Sequence, residues 1–245
     1  MKVLVTGGAG FLGRELLRQA PDAIGTWHRT RITEGIPLDV NDADAAMRCL
    51  LKHGPDAVIH TAYLMGDATT NVRGAHNVAL AAARAGARLI HLSTDLVFDG
   101  EQGAPYTEDD EPRPLLEYGR QKLEAEGLVR REHPEALIVR TSLLLGPPDG
   151  PQEALAHRDD VVFHTDEIRT PIKVAELAAA LLELVGSEST GILHVAGAEA
   201  LSRHELATRL RGGPVPGRPT PPGRPRNVAL DSSRARTLLH SLHHF

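Results

Sequence analysis

Two hydrophobic rhythms alternate along this chain. Short apolar, β-rich runs recur: KVLVTG, AIGTWH, GIPLDV, DAVIHTA, ARLIHLS and ALIVRTS. Runs of that length bounded by turn residues predict buried strands. Longer amphipathic stretches separate them and predict helices: Phe11–Ala20, a helix from an Asn41 or Asp42 cap through DAAMRCLLKHG, one around Asn71–Ala85 closed by Gly86, and Glu117–Glu132. Strand–helix alternation of this kind predicts an α/β fold with a parallel sheet covered on both faces.

Beyond Ser142 the pattern loosens. GPPDGPQ reads as a loop, DVVFHTDEIRTPI as a strand and a turn, Lys173–Gly186 as a helix and GILHVAG as a further strand. SRHELATRL carries a capping box, with Ser202 three residues before Glu205. RGGPVPGRPTPPGRPRN is too rich in Pro and Gly for regular structure. No internal repeat is visible. The final HSLHHF reads as a solvated tail, because no acid or cysteine accompanies its histidines, and no metal site is expected.

Composition narrows the class. The 245 residues suffice for a substantial core, and a hydrophobic content of 41% fits a globular protein. A net charge of −5 without a basic block argues against nucleic-acid binding. The single Cys49 excludes an internal disulfide and points to a reducing compartment. Glycines interrupt the first apolar run, so no signal peptide is expected. No long uncharged stretch predicts a membrane span. The expected location is the cytoplasm.

TGGAGFLG follows the first strand and opens the first helix. Gly8, Gly10 and Gly13 satisfy G-x-G-x-x-G, and Gly7, Gly10 and Gly13 satisfy a variant spacing. Glycines here permit a tight turn and close approach of backbone amides to a pyrophosphate, and the helix N-terminus adds partial positive charge. A dinucleotide cofactor is therefore expected on Gly7, Gly10, Phe11, Leu12 and Gly13. An acid at the end of the second strand would favour NAD; here that region is TWHRTR. His28 and Arg29, with Arg31 nearby, could instead meet a 2′-phosphate, so NADP(H) is favoured over NAD(H). Asp39 and Val40 at the third strand end, and Thr61, Ala62 and Tyr63 at the fourth, fall where parallel strands face a ligand. Asp39 could equally be a helix cap beside Asn41.

YGRQK places Tyr118 and Lys122 four residues apart on a predicted helix, on one face. The chain holds three Tyr and four Lys against 23 Arg, and about 0.05 such pairs are expected by chance, so the pair is informative without being decisive. A neighbouring ammonium lowers the pKa of a phenol, which makes Tyr118 usable as a proton donor. Glu124 and Glu126 continue this helix and read as a solvated face. Tyr106 lies in a loop with no lysine at that spacing.

TGGAGFLG, HLSTDLVFDG, YGRQK, LIVRTS and RPRNVALD occur in the order found in extended short-chain dehydrogenase/reductases. Within that superfamily the chain most resembles the dTDP-4-dehydrorhamnose reductases, over nearly its whole length. The resemblance implies a Rossmann, doubly wound core over residues 1–142 and a small, shortened substrate lobe over 143–245, part of which (about 160–195) packs back on the core. It implies Thr94, Tyr118 and Lys122 as the catalytic triad, with Tyr118, Lys122 and Ser93 also on the cofactor side. Asn71 resembles a helix-start asparagine with a structural role. The implied function is NADP(H)-dependent reduction of a keto group on a nucleotide-linked sugar, in an enzyme that could form a homodimer. Two alternatives stay open: a non-catalytic NADP-binding regulatory subunit, resembling that of methionine adenosyltransferase, and a nucleotide-sugar epimerase or dehydratase. Departures from the family pattern cluster on the substrate side. Leu96 and Leu143 replace usual aromatics, HTAY replaces Asn-Ala-Ala, and the segment before DEIRTPI is short.

Overall fold

The computed structural model describes residues 1–146 and 150–242. Six strands carry the first half: β1 (Val3–Thr6), β2 (Ile24–Trp27), β3 (Ile36–Pro37), β4 (Ala57–His60), β5 (Arg88–Thr94) and β6 (Leu137–Thr141). With β7 (Gly191–His194) they form a seven-stranded sheet in the order β7-β6-β5-β4-β1-β2-β3. The strands pair in parallel from β3 through β5. Between them run α1 (Phe11–Gln19), α2 (Ala43–His53), α3 (Ala75–Ala85) and α4 (Glu117–Glu132); α5 (Val174–Val185) and α6 (Arg203–Arg211) follow. This is the doubly wound α/β fold that the alternation predicts. No helix among the described residues is long and apolar enough to cross a membrane.

The helix ends have local causes. Asp42, rather than Asn41, caps α2, its side chain accepting from the Ala45 amide. Gly54 and Gly86 close α2 and α3 in the left-handed conformation. The helix expected around Asn71–Ala85 is not uniform: Thr69–Gly74 is wound as π-helix before α3 begins. Such widened turns gather at functional sites. The GPPDGPQ run is not wholly loop, because Pro151 and Gln152 open a short helix, Pro151–Ala156. Its Pro147, Pro148 and Asp149 lie outside the described residues, as do His243, His244 and Phe245 of the tail. The Pro- and Gly-rich segment is largely irregular, apart from Gly217–Arg218, which pairs with Phe163–His164.

Two compact units emerge. The first comprises residues 1–93, 121–139 and 178–192; the second comprises 94–120, 140–177 and 193–245. In the first, one core joins Leu4, Val58, Leu89 and Ile138 of the sheet to Leu50 of α2, Val78 of α3 and Val129 of α4. In the second, an ion-pair network is the conspicuous internal feature. Arg169 donates to both Asp95 oxygens, Glu167 lies 3.5 Å from Arg169, and Glu167 also accepts from His164 and Arg224. Burial would raise the Glu167 carboxyl, but the His164 hydrogen bond and the Arg169 and Arg224 charges hold it below its ordinary value.

α6 carries the full capping box: Ser202 accepts from the Glu205 amide, and Glu205 accepts from the Ser202 amide. Ser202→Ala should remove about 1 kcal/mol of stability, seen as a lower urea midpoint at unchanged m-value. An unchanged midpoint would mean that the cap adds nothing.

Candidate functional site

The turn after β1 is built by contact distances rather than by side chains. Gly7 sits at φ +72, and a Cβ there would lie 2.9 Å from the Ala62 backbone. A Cβ on Gly13 would lie 2.2 Å from the Gly7 carbonyl oxygen, so only glycine lets α1 start directly beneath the turn. Gly10 is the N-cap of α1 and contributes no side-chain cap, so the first helical amides remain available to an anion.

A cavity of about 280 Å³ opens in the first unit beside this turn. Of the expected cofactor residues, Gly7, Gly10, His28, Arg29, Asp39, Val40, Thr61, Ala62 and Tyr63 line it. Phe11, Leu12, Gly13, Ser93, Tyr118 and Lys122 are not among its lining residues. Leu12 is buried at the start of α1, and Gly13 acts by letting the turn close. Arg31 is exposed and outside the lining.

Asp39 is neither a bare ligand group nor the helix cap. It accepts from the Asn41 amide at 2.9 Å and lies 4.0 Å from His28 Nε2. Asn41 is one of several lining residues, with Ala9, Thr26, Trp27, Thr30, Leu38, Leu64 and Thr70, that the sequence does not mark as cofactor residues. Asn41 Nδ2 donates to Thr70 Oγ1 at 3.1 Å, while its buried Oδ1 has no partner among the described residues. A buried acceptor without a donor is costly, so Oδ1 is a candidate for a ligand N–H. Together the bare helix start, the close glycine turn and this acceptor fit a dinucleotide.

On α4, Tyr118 and Lys122 lie four residues apart, as the spacing predicts. Lys122 is buried in the first unit, with Nζ 3.4 Å from His91 Nε2. Glu126 is no solvated surface residue. It is 3% exposed and accepts a short hydrogen bond from Ser93 Oγ, because the face carrying Lys122, Ala125 and Val129 turns inward; Glu124 alone is exposed. The Ser93 hydroxyl is thereby turned to Glu126. Asn71 bonds both backbone groups of Leu64 and donates to Gln121 Oε1, tying the loop after β4 to α4.

In the second unit, Thr94 ends β5. Its hydroxyl accepts from the Leu96 amide and donates to Asp95. Asp95 is fully buried and also accepts from Arg169 Nε at 2.7 Å and Ser142 Oγ at 2.5 Å. Burial disfavours the Arg169 charge, but Asp95 and Glu167 together more than offset this and raise its pKa.

The fold and the glycine turn define a dinucleotide-binding protein of the extended short-chain dehydrogenase/reductase class. More narrowly, the chain belongs to the family described as RmlD substrate binding domain, which it matches over residues 1–244. It is 33% identical to a probable low-salt glycan biosynthesis reductase, Agl14, of Haloferax volcanii, covering 95% of this chain and 90% of that protein. It is 32% identical to the dTDP-4-dehydrorhamnose reductase of Mycolicibacterium smegmatis, covering 96% and 79%. Among solved structures, a Bacillus anthracis dTDP-4-dehydrorhamnose reductase in complex with NADP is 26% identical, with a TM-score of 0.85 over 97% of this chain and 92% of that one. Similarity also extends to WbmG of Bordetella bronchiseptica, solved with NAD and UDP (26%, TM-score 0.83, 96% and 86% covered), and to the bovine methionine adenosyltransferase 2 subunit beta (28%, 97% and 82% covered).

Burial lowers the Lys122 ammonium from 10.5 to about 8, against the opposing charge of Glu126. The folded protein therefore loses this proton before the unfolded chain does. At pH 7 the amine is charged in both states and the burial cost is present in full. Between about 8 and 10.5 the unfolded state binds more protons, so the contribution of Lys122 to stability rises with pH. Relative to Lys122→Met, the unaltered protein should gain roughly 3 kcal/mol across that window, measured by urea unfolding at several pH values. A pH-independent difference would contradict the buried ammonium.

Proposed function

We propose that this protein is an NADP(H)-dependent reductase that reduces a keto group on a nucleotide-linked sugar, dTDP-4-dehydrorhamnose being the first candidate. The observation that carries this reading is Tyr118 and Lys122 on one turn of α4, with the Lys122 ammonium buried, in a chain whose relatives include named reductases. In this reading residues 1–142 hold the dinucleotide and 143–245 hold the sugar nucleotide.

A nicotinamide dinucleotide, when bound, supplies hydride to the ketone carbon. Gly7, Gly10 and the first amides of α1 would hold its pyrophosphate. His28 and Arg29, both exposed on the cavity rim, would meet a 2′-phosphate, and β2 ends with no acid to bind a ribose 2′-hydroxyl instead. Tyr118 then donates its phenolic proton to the ketone oxygen as negative charge develops there. Lys122, charged below its lowered pKa, favours the tyrosinate that remains. Thr94 would orient the carbonyl through its hydroxyl.

The state of Asp95 favours reduction over dehydration. Elimination chemistry needs an acid beside the threonine, but both Asp95 oxygens are taken up by Arg169, Ser142 and Thr94. It is a structural carboxylate that steers Thr94.

Tyr118→Phe should lower turnover of dTDP-4-dehydrorhamnose by about 10²–10⁴-fold while NADPH affinity stays within about twofold. Steady-state NADPH oxidation and fluorescence titration check this, and undiminished turnover would remove Tyr118 from the chemistry. If a panel of nucleotide-linked keto-sugars gives no NADPH oxidation with the unaltered protein, the regulatory-subunit reading takes its place. For the cofactor, NADPH should bind at least about tenfold more tightly than NADH, because a charge-assisted phosphate contact is worth on the order of 1.5–3 kcal/mol. Equal or tighter NADH binding would reverse that preference.

A further inference from the structure

One face of the parallel sheet ends in a polar row that the mechanism above does not use. Side chains alternate along a strand, so Leu4 and Thr6 share a face, as do Val58 and His60, and Leu89 and His91. The register aligns Leu4 with Val58 and Val58 with Leu89, and one step further Thr6 with His60 and His60 with His91. An apolar row crossing three strands is thus followed by Thr6, His60 and His91, all buried. Thr6 Oγ1 lies 2.6 Å from His60 Nδ1, the His60 and His91 rings stack at 5.3 Å, and His91 Nε2 lies 3.4 Å from Lys122 Nζ.

This row is expensive. His60 Nε2 and His91 Nδ1 have no hydrogen-bond partner among the described residues. Apolar residues at these positions would continue the core without that cost. Retaining two imbalanced imidazoles beside a buried ammonium is the pattern of a site that trades stability for function.

Both rings are held neutral. Burial, and then the Lys122 charge, lowers His60 to about 3; the same two causes, with His60 in addition, hold His91 well below its ordinary value. Neither ring changes charge near neutral pH. Since the Lys122 ammonium can only donate, His91 Nε2 must accept, which places the His91 proton on Nδ1.

We propose that His91 is a positioning residue for Lys122: its Nε2 accepts from the ammonium, orients Nζ and keeps the amine charged, while Thr6 and the stacked His60 fix the His91 ring. The proposal rests on the reading that Lys122 serves Tyr118, one helical turn away. The groups facing Lys122 are His91 on β5, with His60 beyond it on β4, and Glu126 on α4 itself, where Tyr118 lies one turn earlier along the helix. Of these, Glu126 supports the charge through space and His91 supplies the hydrogen bond.

Four lysines make the test direct, because each can be followed by the NMR titration of its ε-carbon in protein carrying ¹³C-lysine. Lys122→Met assigns the signal. In the unaltered protein the Lys122 signal should titrate near 8. In His91→Phe, which keeps a ring against His60 but removes the acceptor, it should fall by about one pH unit, and the alkaline limb of kcat should move with it. His91→Gln, which restores an acceptor near the Nε2 position, should return both toward the unaltered values. The thermal midpoint of His91→Phe should be unchanged or higher. An unmoved Lys122 titration in His91→Phe, or a lowered midpoint with no titration shift, would reduce His91 to packing and overturn the proposal. If His91→Phe does not fold, His91→Leu takes its place under the same criteria. The catalytic reading fails separately: Tyr118→Phe with full turnover would remove it while leaving the Lys122 titration to judge His91.

Discussion

The interior of the first unit is organised around an ammonium group taken out of water. Lys122 sits on α4 with its amine against the carboxyl end of a parallel sheet, where burial lowers its affinity for a proton. A charge in that position is tolerable only if its surroundings answer it, and several otherwise puzzling residues do so. Glu126, one turn further along α4, faces inward and is held by Ser93. His91 offers a neutral acceptor from β5. The helix that bears the lysine is itself tied by Gln121 to Asn71, and Asn71 holds the loop that follows β4.

The second unit solves a related problem with a different chemistry. Asp95 and Arg169 are both buried and joined by two hydrogen bonds, and Glu167 extends the pair to His164 and Arg224. Breaking one member of such a network leaves an uncompensated charge, which makes the whole cluster rigid. Thr94 is thereby held from both sides: its hydroxyl accepts from the Leu96 amide and donates to Asp95. In the proposed reading the residue next to Thr94 supports it and leaves the proton transfer to Tyr118. This separates the reductase reading from dehydration on grounds the residue types alone do not offer, because an aspartate in that position reads the same way in either chemistry.

Local chemistry made much of the molecule legible in one dimension. The glycine turn, the cap at Asp42, the left-handed closures at Gly54 and Gly86 and the capping box at Ser202 depend on neighbours a few residues away. The same holds for Tyr118 and Lys122, whose spacing places them on one helix face. Most of the cavity lining was legible too, since strand ends in a parallel sheet converge on one edge. Asn41 was not, because its significance lies in an acceptor left unanswered by Thr70, far away in sequence. Glu126 was misread because a glutamate on a helix is ordinarily solvated, and only Ser93 across from it shows otherwise.

The sequence by itself determined the strand–helix alternation, the dinucleotide turn and the placing of Tyr118 and Lys122 on one helix, because each is written in periodicity or short spacing. Only the tertiary structure decided which polar groups lie out of water and which partners they find there. The alignment of Thr6, His60 and His91 arises from strand register, and the grip of Arg169 on Asp95 joins segments distant along the chain. Burial and register are properties of the assembled sheet and its covering helices, and they set the charge state of Lys122 more strongly than any neighbour in sequence does.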